Sequence, residues 1–383
     1  MKNIIKIIYI FLVILVKNLS ADSIVKGVIY NRINVQESNI LHELIIDPQE
    51  VKIILECAYQ KCASSEKTSE MSERNKAIAA INGGFFNFGV SNKFKDNALK
   101  LMDFFGVSNY NAFPISALKI KNDWFSFANN LSGIFAWKND GQITMLDAIE
   151  NEWSLQVGNK IYLIKDLNKP YANGPIVYTN VFDTHTPLRK NIVDITVEEN
   201  KVVNIKKDGY SKIPKNGFVY SINSYDKSLN LLDFNEFADI KINKIIKPTY
   251  SSSDLIEGMD YILGSTPILI KDGKINEKLI QYKSSFYTLG HPRTAVGVLE
   301  NGNWLMVVVE GRQKSSCGFT ILELAEYMLN KGCISALNLD GGGSSTMVIN
   351  NKVVNSPSGR DLYGYSGKRN ERPIADSILI LPK

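Results

Sequence analysis

Residues 319–348 read FTILELAEYMLNKGCISALNLDGGGSSTMV, which indicates a helix, a strand and a glycine-rich loop in succession. Apolar side chains recur at spacings of three and four in the first half: Ile321, Leu324, Ala325, Met328 and Leu329. Thr320 and Glu323 have the spacing of a capping box, which accounts for Glu323 without catalysis, and Gly332 is typical of a helix end. The following segment is expected to be a buried strand that ends at Asp340.

The loop after Asp340 has three consecutive glycines and then hydroxyl side chains. Glycine loses more backbone entropy on folding than any other residue, so three in a row indicate that the bare backbone is needed. One interpretation is an anion site formed by backbone N–H groups, and the other is a simple turn before a hairpin. The P-loop and dinucleotide-binding signatures do not occur here. The candidate binding residues are Gly341, Gly342, Gly343, Ser344 and Ser345.

Short apolar runs separated by turn residues recur through the rest of the chain, which predicts β-hairpins. The expected turns are Asp140-Gly141, Asp272-Gly273, Asn301-Gly302 and Asn350-Asn351. We therefore predict a sheet-dominated α+β fold, a mixed domain with β-hairpins and a few packed helices.

The first 21 residues predict a secretory signal peptide, with two lysines, a ten-residue apolar run and small residues at Ser20 and Ala21. An uncleaved membrane anchor is the alternative, because Leu19 is not small. No later stretch reaches the length of a spanning helix. We expect a secreted or periplasmic protein that does not insert stably in a membrane after cleavage.

The chain has 383 residues, of which 44% are hydrophobic, and this composition excludes disorder over the whole chain. Loss of the three lysines of the signal segment lowers the formal charge from +5 to +2, which gives no reason to expect nucleic acid as a partner. The predicted organisation is a signal peptide at 1–21, an N-terminal segment of unknown role at 22–75 and a catalytic domain at 76–383. The sequence does not indicate an oligomeric state.

The four cysteines match no common zinc pattern, so neither a metal site nor a cofactor is predicted. In an exported protein an even number of cysteines favours disulfides. The preferred pairs are Cys57–Cys62 and Cys317–Cys333, although other pairings and reduced core cysteines stay open.

Two further motifs place polar groups at the ends of apolar strands. LGHPRTAVGV has His291 and Arg293 directly before a strand, and VVVEGRQ has Glu310 and Arg312 after one. The guanidinium group donates in a planar fork that suits phosphate or carboxylate. The alternatives are structural roles and a surface ion pair of little energetic worth.

Two glycine-containing motifs are weaker candidates. INGGFFN contains Asn82 and Gly83 followed by two phenylalanines, which fits close approach to a ligand and packing on a sugar ring, or a tight core turn. ANGPIVYTN contains Asn173 and Thr179, a polar cluster at a strand end, or only a turn.

Cleavage of a glycosidic bond usually requires two carboxylates. A phosphate leaving group departs readily as an anion, so cations and N–H donors become more important than a strong acid. Carboxylates, guanidinium groups and glycine loops at strand ends suit that variant.

With these motifs assembled, the chain resembles the phosphodiester glycosidase family over roughly residues 77–383. The resemblance rests on INGGFFN, ANGPIVYTN, GSTPILIKDGK, HPRTAVGV, EGRQ, ELAEYMLNKGCISALNLDGGGSSTMV and ERPIADSILIL. It implies hydrolysis between the anomeric carbon of a sugar and a phosphodiester. Where the family has Asp-Gly-Arg, this chain has Glu310-Gly311-Arg312, so the carboxylate lies one methylene further out.

The resemblance also implies one pocket that contains Asn82, His291, Arg293, Arg312, Asp340 and the glycine loop. We expect Asp340 as the main catalytic carboxylate, Glu310 as its partner and His291 as a group that orients phosphate or donates a proton. The expected substrate is a carbohydrate-phosphate. A non-catalytic protein that binds glycans or the cell envelope and a phosphodiesterase that cleaves P–O are the alternatives.

Overall fold

The computed structural model describes residues 17–35, 39–88, 112–127, 133–147, 149–170, 174–235, 238–248, 256, 258–359 and 370–383. At the centre, two antiparallel sheets pack face to face. Within the described residues the larger sheet has eight strands in the order β1 (Lys17–Val25), β2 (Val28–Val35), β3 (Asn39–Ile46), β24 (Trp304–Val309), β23 (Arg293–Leu299), β25 (Cys333–Asn338), β21 (Ile268–Lys271) and β22 (Lys274–Ile275). The smaller sheet has the order β27 (Lys352–Val353), β26 (Met347–Ile349), β5 (Ala79–Asn82), β28 (Asp376–Pro382) and β4 (Val51–Cys57).

Helices cover the outer faces of this pair of sheets. Side chains alternate along β24, so Met306 packs toward the smaller sheet while Leu305 packs toward helix α3 (Ile321–Asn330). Helix α1 (Thr68–Arg74) packs on the smaller sheet through Met71. The short helix α2 (Ser285–Thr288) lies beside α3. The result is a four-layer helix–sheet–sheet–helix arrangement.

A second core lies beside the central pair. One sheet faces both cores and has the order β11 (Ile143–Leu146), β10 (Gly133–Trp137), β20 (Tyr261–Ser265), β8 (Leu118–Ile120) and β9 (Asp123–Ser126). A three-stranded sheet has the order β13 (Lys160–Ile164), β12 (Ile149–Val157) and β19 (Ile240–Pro248). A five-stranded sheet has the order β14 (Asp166–Leu167), β15 (Ile176–Thr179), β18 (Gly217–Asn223), β16 (Leu188–Glu198) and β17 (Lys201–Gly209). Strands β6 (Phe86–Phe88) and β7 (Ala112–Pro114) pair with each other in a two-stranded sheet.

The predicted helix and hairpins are confirmed. In the capping box of α3 the Thr320 hydroxyl accepts from the backbone N–H of Glu323, and the Glu323 carboxylate accepts from the backbone N–H of Thr320. The four predicted turns connect β10 to β11, β21 to β22, β23 to β24 and β26 to β27. The structure is mostly β, in agreement with the predicted sheet-dominated fold.

Residues 22–75 contribute strands to both central sheets, because β3 pairs with β24 and β4 pairs with β28. Residues 1–16 of the predicted signal peptide lie outside the described residues, and its cleavage site lies within β1. In the part of the chain that the structure describes, no helix has the length and apolar character needed to span a membrane.

The predicted disulfides are wrong, because all four cysteines are free thiols. The Cys62 thiol donates to the carbonyl oxygen of Phe125 at 3.1 Å. Cys317 is exposed before α3, and Cys333 is buried after it. This ten-residue helix is about 15 Å long, so it separates the two cysteines along the chain.

Candidate active site

Five strand ends from the two central sheets meet at one edge of the sheet pair. Strand β5 ends at Asn82, β24 leads to Glu310 and β25 leads to Asp340. Strands β23 and β28 begin at the same edge, with Arg293 and Asp376. Because the pairing of β23 with β24 and β25, and of β28 with β5, is antiparallel, residues distant in sequence become neighbours here.

Asn82 is fully buried and ties the two sheets together at this edge. Its amide nitrogen donates to the carbonyl oxygen of Asp340 at 2.7 Å. Its amide oxygen accepts from the Thr294 hydroxyl at 2.8 Å and from the backbone N–H of Thr346 at 3.1 Å. Both ends of the amide are therefore engaged within the protein, which favours a supporting role over substrate contact.

The glycines after Asp340 admit neighbouring groups that a side chain would displace. A Cβ atom at Gly341 would lie 2.8 Å from the Pro292 carbonyl oxygen. The N–H of Gly341 donates to the Asp340 carboxylate at 2.9 Å, and that of Gly342 donates to the Pro292 carbonyl at 2.8 Å. These two N–H groups are engaged inside the protein, so they do not form the anion nest that the sequence suggested.

Two arginines lie against the same loop. A Cβ atom at Gly342 would be 3.1 Å from the guanidinium nitrogens of Arg312, and one at Gly343 would be 2.5 Å from Arg372. Gly342 also has a φ of +63°, which favours glycine. The triple glycine thus brings two guanidinium groups next to the residue that precedes it, Asp340.

The pKa of Asp340 is raised to about 6, chiefly because burial disfavours its charged form. A hydrogen bond from the Ser344 hydroxyl, the charges of Arg372 and Arg312 and the N–H of Gly341 oppose this increase. The residue remains partly exposed. The arrangement holds a carboxyl group that ionises close to neutral pH between positive charges.

His291 lies at the entrance to this cluster, partly exposed, with its Nδ1 atom 3.5 Å from an Arg312 nitrogen. Its pKa is lowered by burial and by the charges of Arg293 and Arg312. His291 is consequently neutral at pH 7 and can exchange a proton or a hydrogen bond with a bound ligand.

Arg293 does not have the exposure expected of a phosphate-binding residue. Its guanidinium group is buried and donates to the carbonyl oxygens of Phe319 at 2.9 Å, Phe286 and Leu289. Burial lowers its pKa to about 10. This geometry favours a role in holding α2 and the segment before α3 beside the site.

Glu310 is also buried, and its carboxylate has protein partners. Its Oε1 atom accepts from His42 Nε2 at 3.0 Å and from the backbone N–H of Ser356 at 2.8 Å. Burial acts to raise its pKa, but these hydrogen bonds lower it below the ordinary value. The other ring nitrogen of His42 pairs with the Tyr30 hydroxyl at 2.8 Å. Glu310 is thus an ionised group that anchors the chain following β27.

The remaining predicted residues are dispersed. Ser344 and Ser345 are both fully buried, and the Ser344 hydroxyl hydrogen-bonds to the Asp340 carboxyl group. Thr179 lies in β15 of the second core, where its backbone N–H donates to Asn168 at 2.9 Å. Asn173 lies outside the described residues.

Three residues of this region were missed from sequence: Arg372, Asp376 and His42. The motif ERPIADSILIL, which contains the first two, was recognisable, but nothing local singled out its arginine or aspartate. His42 interrupts an apolar strand, and a polar residue in such a position is a signal that could have been followed.

Aromatic rings lie next to the cluster. The partly exposed Phe85 ring meets that of Phe286 edge to face, with centroids 6.0 Å apart. The Arg293 guanidinium lies 5.0 Å from the Phe286 centroid. Phe85 directly follows the Gly83-Gly84 turn, so its ring is fixed close to the site.

Residues 191–381 match the phosphodiester glycosidase family, and this segment contains Asp340, Arg312 and Arg372. This half of the chain belongs to that family. The N-acetylglucosamine-1-phosphodiester alpha-N-acetylglucosaminidases of Bos taurus and Homo sapiens are 32% and 30% identical to it over 108 residues, 27% of this chain. A prophage-derived protein of Bacillus subtilis is 40% identical over 68 residues, 18% of this chain. The chain spans only 20%, 21% and 11% of the lengths of these relatives.

Two solved structures share the fold of this chain. A protein from Synechocystis has a TM-score of 0.75 and 18% identity, over 96% of this chain and 64% of that one. A protein from Burkholderia pseudomallei has a TM-score of 0.73 and 21% identity, over 90% and 74% of the two chains. At such low identity the likeness concerns the fold alone.

Proposed function

We propose that this protein hydrolyses the glycosidic bond of a sugar-1-phosphodiester and releases a free sugar and a phosphomonoester. The observation that supports this most directly is the position of the Asp340 carboxyl group beside Arg312 and Arg372 on the glycine loop. Membership of the phosphodiester glycosidase family supports the reaction class.

In this proposal the two arginines bind the phosphate and stabilise the negative charge that it gains as the C–O bond breaks. Water supplies the new oxygen at the anomeric carbon, and the bonding electrons leave with the phosphate. Asp340 acts in its ionised form, either by attacking the anomeric carbon or by activating that water. His291, neutral at pH 7, hydrogen-bonds a phosphate oxygen.

The sugar ring occupies the side of the site that carries Phe85. Aromatic rings pack on the apolar faces of sugars, and the Phe85 ring is partly exposed. Phe85 directly follows the Gly83-Gly84 turn, and the carbonyl oxygen of Gly83 accepts a hydrogen bond from the backbone N–H of Asp340. The Phe85→Ala variant should raise KM at least fivefold, while Phe85→Tyr should stay near wild type.

Glu310 enters the proposal as a positioning residue. Its bond to Ser356 fixes the segment that continues to Ser358, whose hydroxyl donates to the Gly342 carbonyl at 3.4 Å. An ionised Glu310 therefore helps to shape the loop on which Arg312 rests.

The deciding experiment incubates the purified protein with a panel of sugar-1-phosphodiesters in ¹⁸O-labelled water. We expect a free sugar that carries the label and an unlabelled phosphomonoester. The Asp340→Asn variant should lose about 10³-fold in turnover while retaining its fold. Asp272→Asn, in the remote turn between β21 and β22, is the control and should match wild type.

Other results would point to the two rival functions. Label in the phosphate would indicate cleavage of the P–O bond. Saturable binding of the substrates without any product would indicate a glycan-binding protein. Near-normal turnover by Asp340→Asn would exclude Asp340 as the catalytic carboxylate.

We infer further that the protein is exported, on the strength of the charged, apolar and small-residue pattern of residues 1–21. Cleavage after residue 20 or 21 would shorten β1, an edge strand, and leave β2 paired with β3. N-terminal sequencing of the protein from its producing cells tests this, and an intact Met1 or Lys2 start would contradict it.

A further inference from the structure

Asp376 is a fully buried carboxyl group at the first position of β28. Its Oδ1 atom accepts from the N–H of Gly84 at 2.8 Å, and its carbonyl oxygen accepts from the N–H of Gly83 at 2.9 Å. Its Oδ2 atom has no hydrogen-bond partner among the described residues. An acceptor left unpaired inside a protein is costly when charged, so this carboxyl group calls for an explanation.

The Gly83-Gly84 turn is wrapped tightly around this group. A Cβ atom at Gly83 would lie 2.0 Å from Asp376 Oδ1, so only glycine fits. The carbonyl oxygen of the same Gly83 accepts from the backbone N–H of Asp340 at 3.0 Å. One turn therefore connects the buried carboxyl group of Asp376 to the backbone of Asp340.

The surroundings of Asp376 disfavour a second negative charge. The pKa of Asp376 is raised to about 7, chiefly by burial; the hydrogen bond from Gly84 opposes this increase, and the charge of Asp340 adds to it. Strand β4 presents Cys57 opposite Asp376, and Cys62 follows nearby; burial raises the pKa of both thiols, so they stay neutral. Two interacting carboxyl groups lose their protons in successive steps.

We propose that Asp376 is a positioning residue that keeps its proton while Asp340 carries the single negative charge of the pair, and that ionisation of Asp376 weakens substrate binding. The inference rests on the proposed function for its kinetic consequences. A phosphodiester is an anion throughout the neutral range. A second carboxylate beneath the Gly83-Gly84 turn repels the phosphodiester anion. It also leaves an unpaired buried charge under the turn that positions Asp340, which destabilises that turn.

The first experiment measures kcat and KM of the full chain from pH 5 to 9. In the wild type, KM should rise about tenfold between pH 7 and 9 while kcat changes less. Asp376→Asn mimics the protonated acid, so its KM should change less than twofold over the same range. His291 does not produce this rise, because its lowered pKa places its loss of charge below pH 7.

A matched control is Asp194→Asn, which alters another fully buried aspartate, bonded to Thr186 and Ser221 in the second core. Its KM profile should be that of the wild type. The same rise of KM in Asp376→Asn as in the wild type would overturn the proposal. A purely structural role of Asp376 would lower stability without removing the pH dependence.

The second experiment needs no turnover and does not require Asp376→Asn to fold. ¹³C NMR follows the aspartate carboxyl groups of the wild type and of Asp340→Asn during a pH titration. Removal of the Asp340 charge should move the Asp376 titration to lower pH by about one unit. An unchanged titration would overturn the proposal. Coupled titration without hydrolysis of any sugar-phosphodiester would instead contradict only the proposed function.

Discussion

Asp340 and Arg372 are the pair of opposite charges on which the proposed chemistry depends most directly. Burial raises the pKa of Asp340 to about 6, and Arg372 opposes that increase. If the ionised form of Asp340 is the active one, kcat/KM should fall about tenfold per pH unit below pH 6. The site would then be half-active near pH 6 and close to fully ionised above pH 7.

The Arg372→Gln variant tests this assignment. Removing the positive charge should shift the acid limb of the pH–rate profile upward by about 0.5–1 pH unit. Arg372→Lys retains the charge and should leave the limb within about 0.3 unit of the wild type. Identical midpoints in the two variants would show that Arg372 does not act on the ionisation of Asp340.

Replacement of Arg293 should lower mainly the stability of the protein, whereas replacement of Arg312 should lower mainly its activity. Arg293→Lys loses the planar fork that serves three carbonyl oxygens, so the free energy of unfolding should fall by about 2–4 kcal/mol. The exposed Arg312→Lys should change it by less than about 0.5 kcal/mol but lower kcat/KM at least tenfold. Urea unfolding and steady-state kinetics measure both. A stable Arg293→Lys with raised KM would restore Arg293 as a phosphate ligand.

The contrast between these arginines marks the limit of prediction from sequence at this scale. Both stand beside apolar strands, and both were predicted to bind phosphate. Arg293 is the first residue of β23 and points inward, whereas Arg312 has a φ of +58° after Gly311 and lies at the surface. Strand register and backbone conformation determine which arginine is buried and which is exposed, and neither property can be inferred from the local sequence.

At the scale of elements, local signals predicted structure well. The capping box and apolar spacing located α3, and each hairpin turn has the positive φ that its glycine or asparagine permits, as at Asn350 and Asn351. The glycine loop was predicted as a backbone cradle for an anion, but the N–H groups of Gly341 and Gly342 have partners inside the protein. The glycines of the loop make room for Arg312 and Arg372, groups that lie far from it in the sequence.

The Gly342→Ala variant tests that purpose against a matched glycine. Gly342 and Gly273 have φ values of +63° and +70°, so alanine costs each about 1 kcal/mol of backbone strain. A Cβ at Gly342 meets the Arg312 guanidinium at 3.1 Å, whereas nothing lies within 4 Å at Gly273. Both variants should lose similar stability, but only Gly342→Ala should lose kcat/KM, by about tenfold or more. Equal kinetics in the two variants would contradict the role assigned to the loop.

At the scale of the whole molecule, non-local pairing hid part of the site. Strand β28 lies between β5 and β4, and this order places Asp376 beside the Gly83-Gly84 turn. Likewise β3 pairs with β24, which brings His42 to Glu310. Hydrophobic patterns identify strands but do not specify which distant strand each will join.

The pH dependence of global stability should record the cost of burying Asp340. Its pKa rises from 3.8 to about 6 on folding, so the folded state binds a proton more tightly than the unfolded state. That contribution to stability is complete below about pH 4 and is lost as the pH rises through 6. Asp340→Asn does not ionise, so its free energy of unfolding should exceed that of the wild type by about 2–3 kcal/mol at pH 8 and match it near pH 4. Urea unfolding at both pH values measures the gap, with Asp272→Asn as the control that should show none. If the free energies of unfolding of the variant and the wild type differed equally at pH 4 and pH 8, ionisation of Asp340 would not destabilise the folded state.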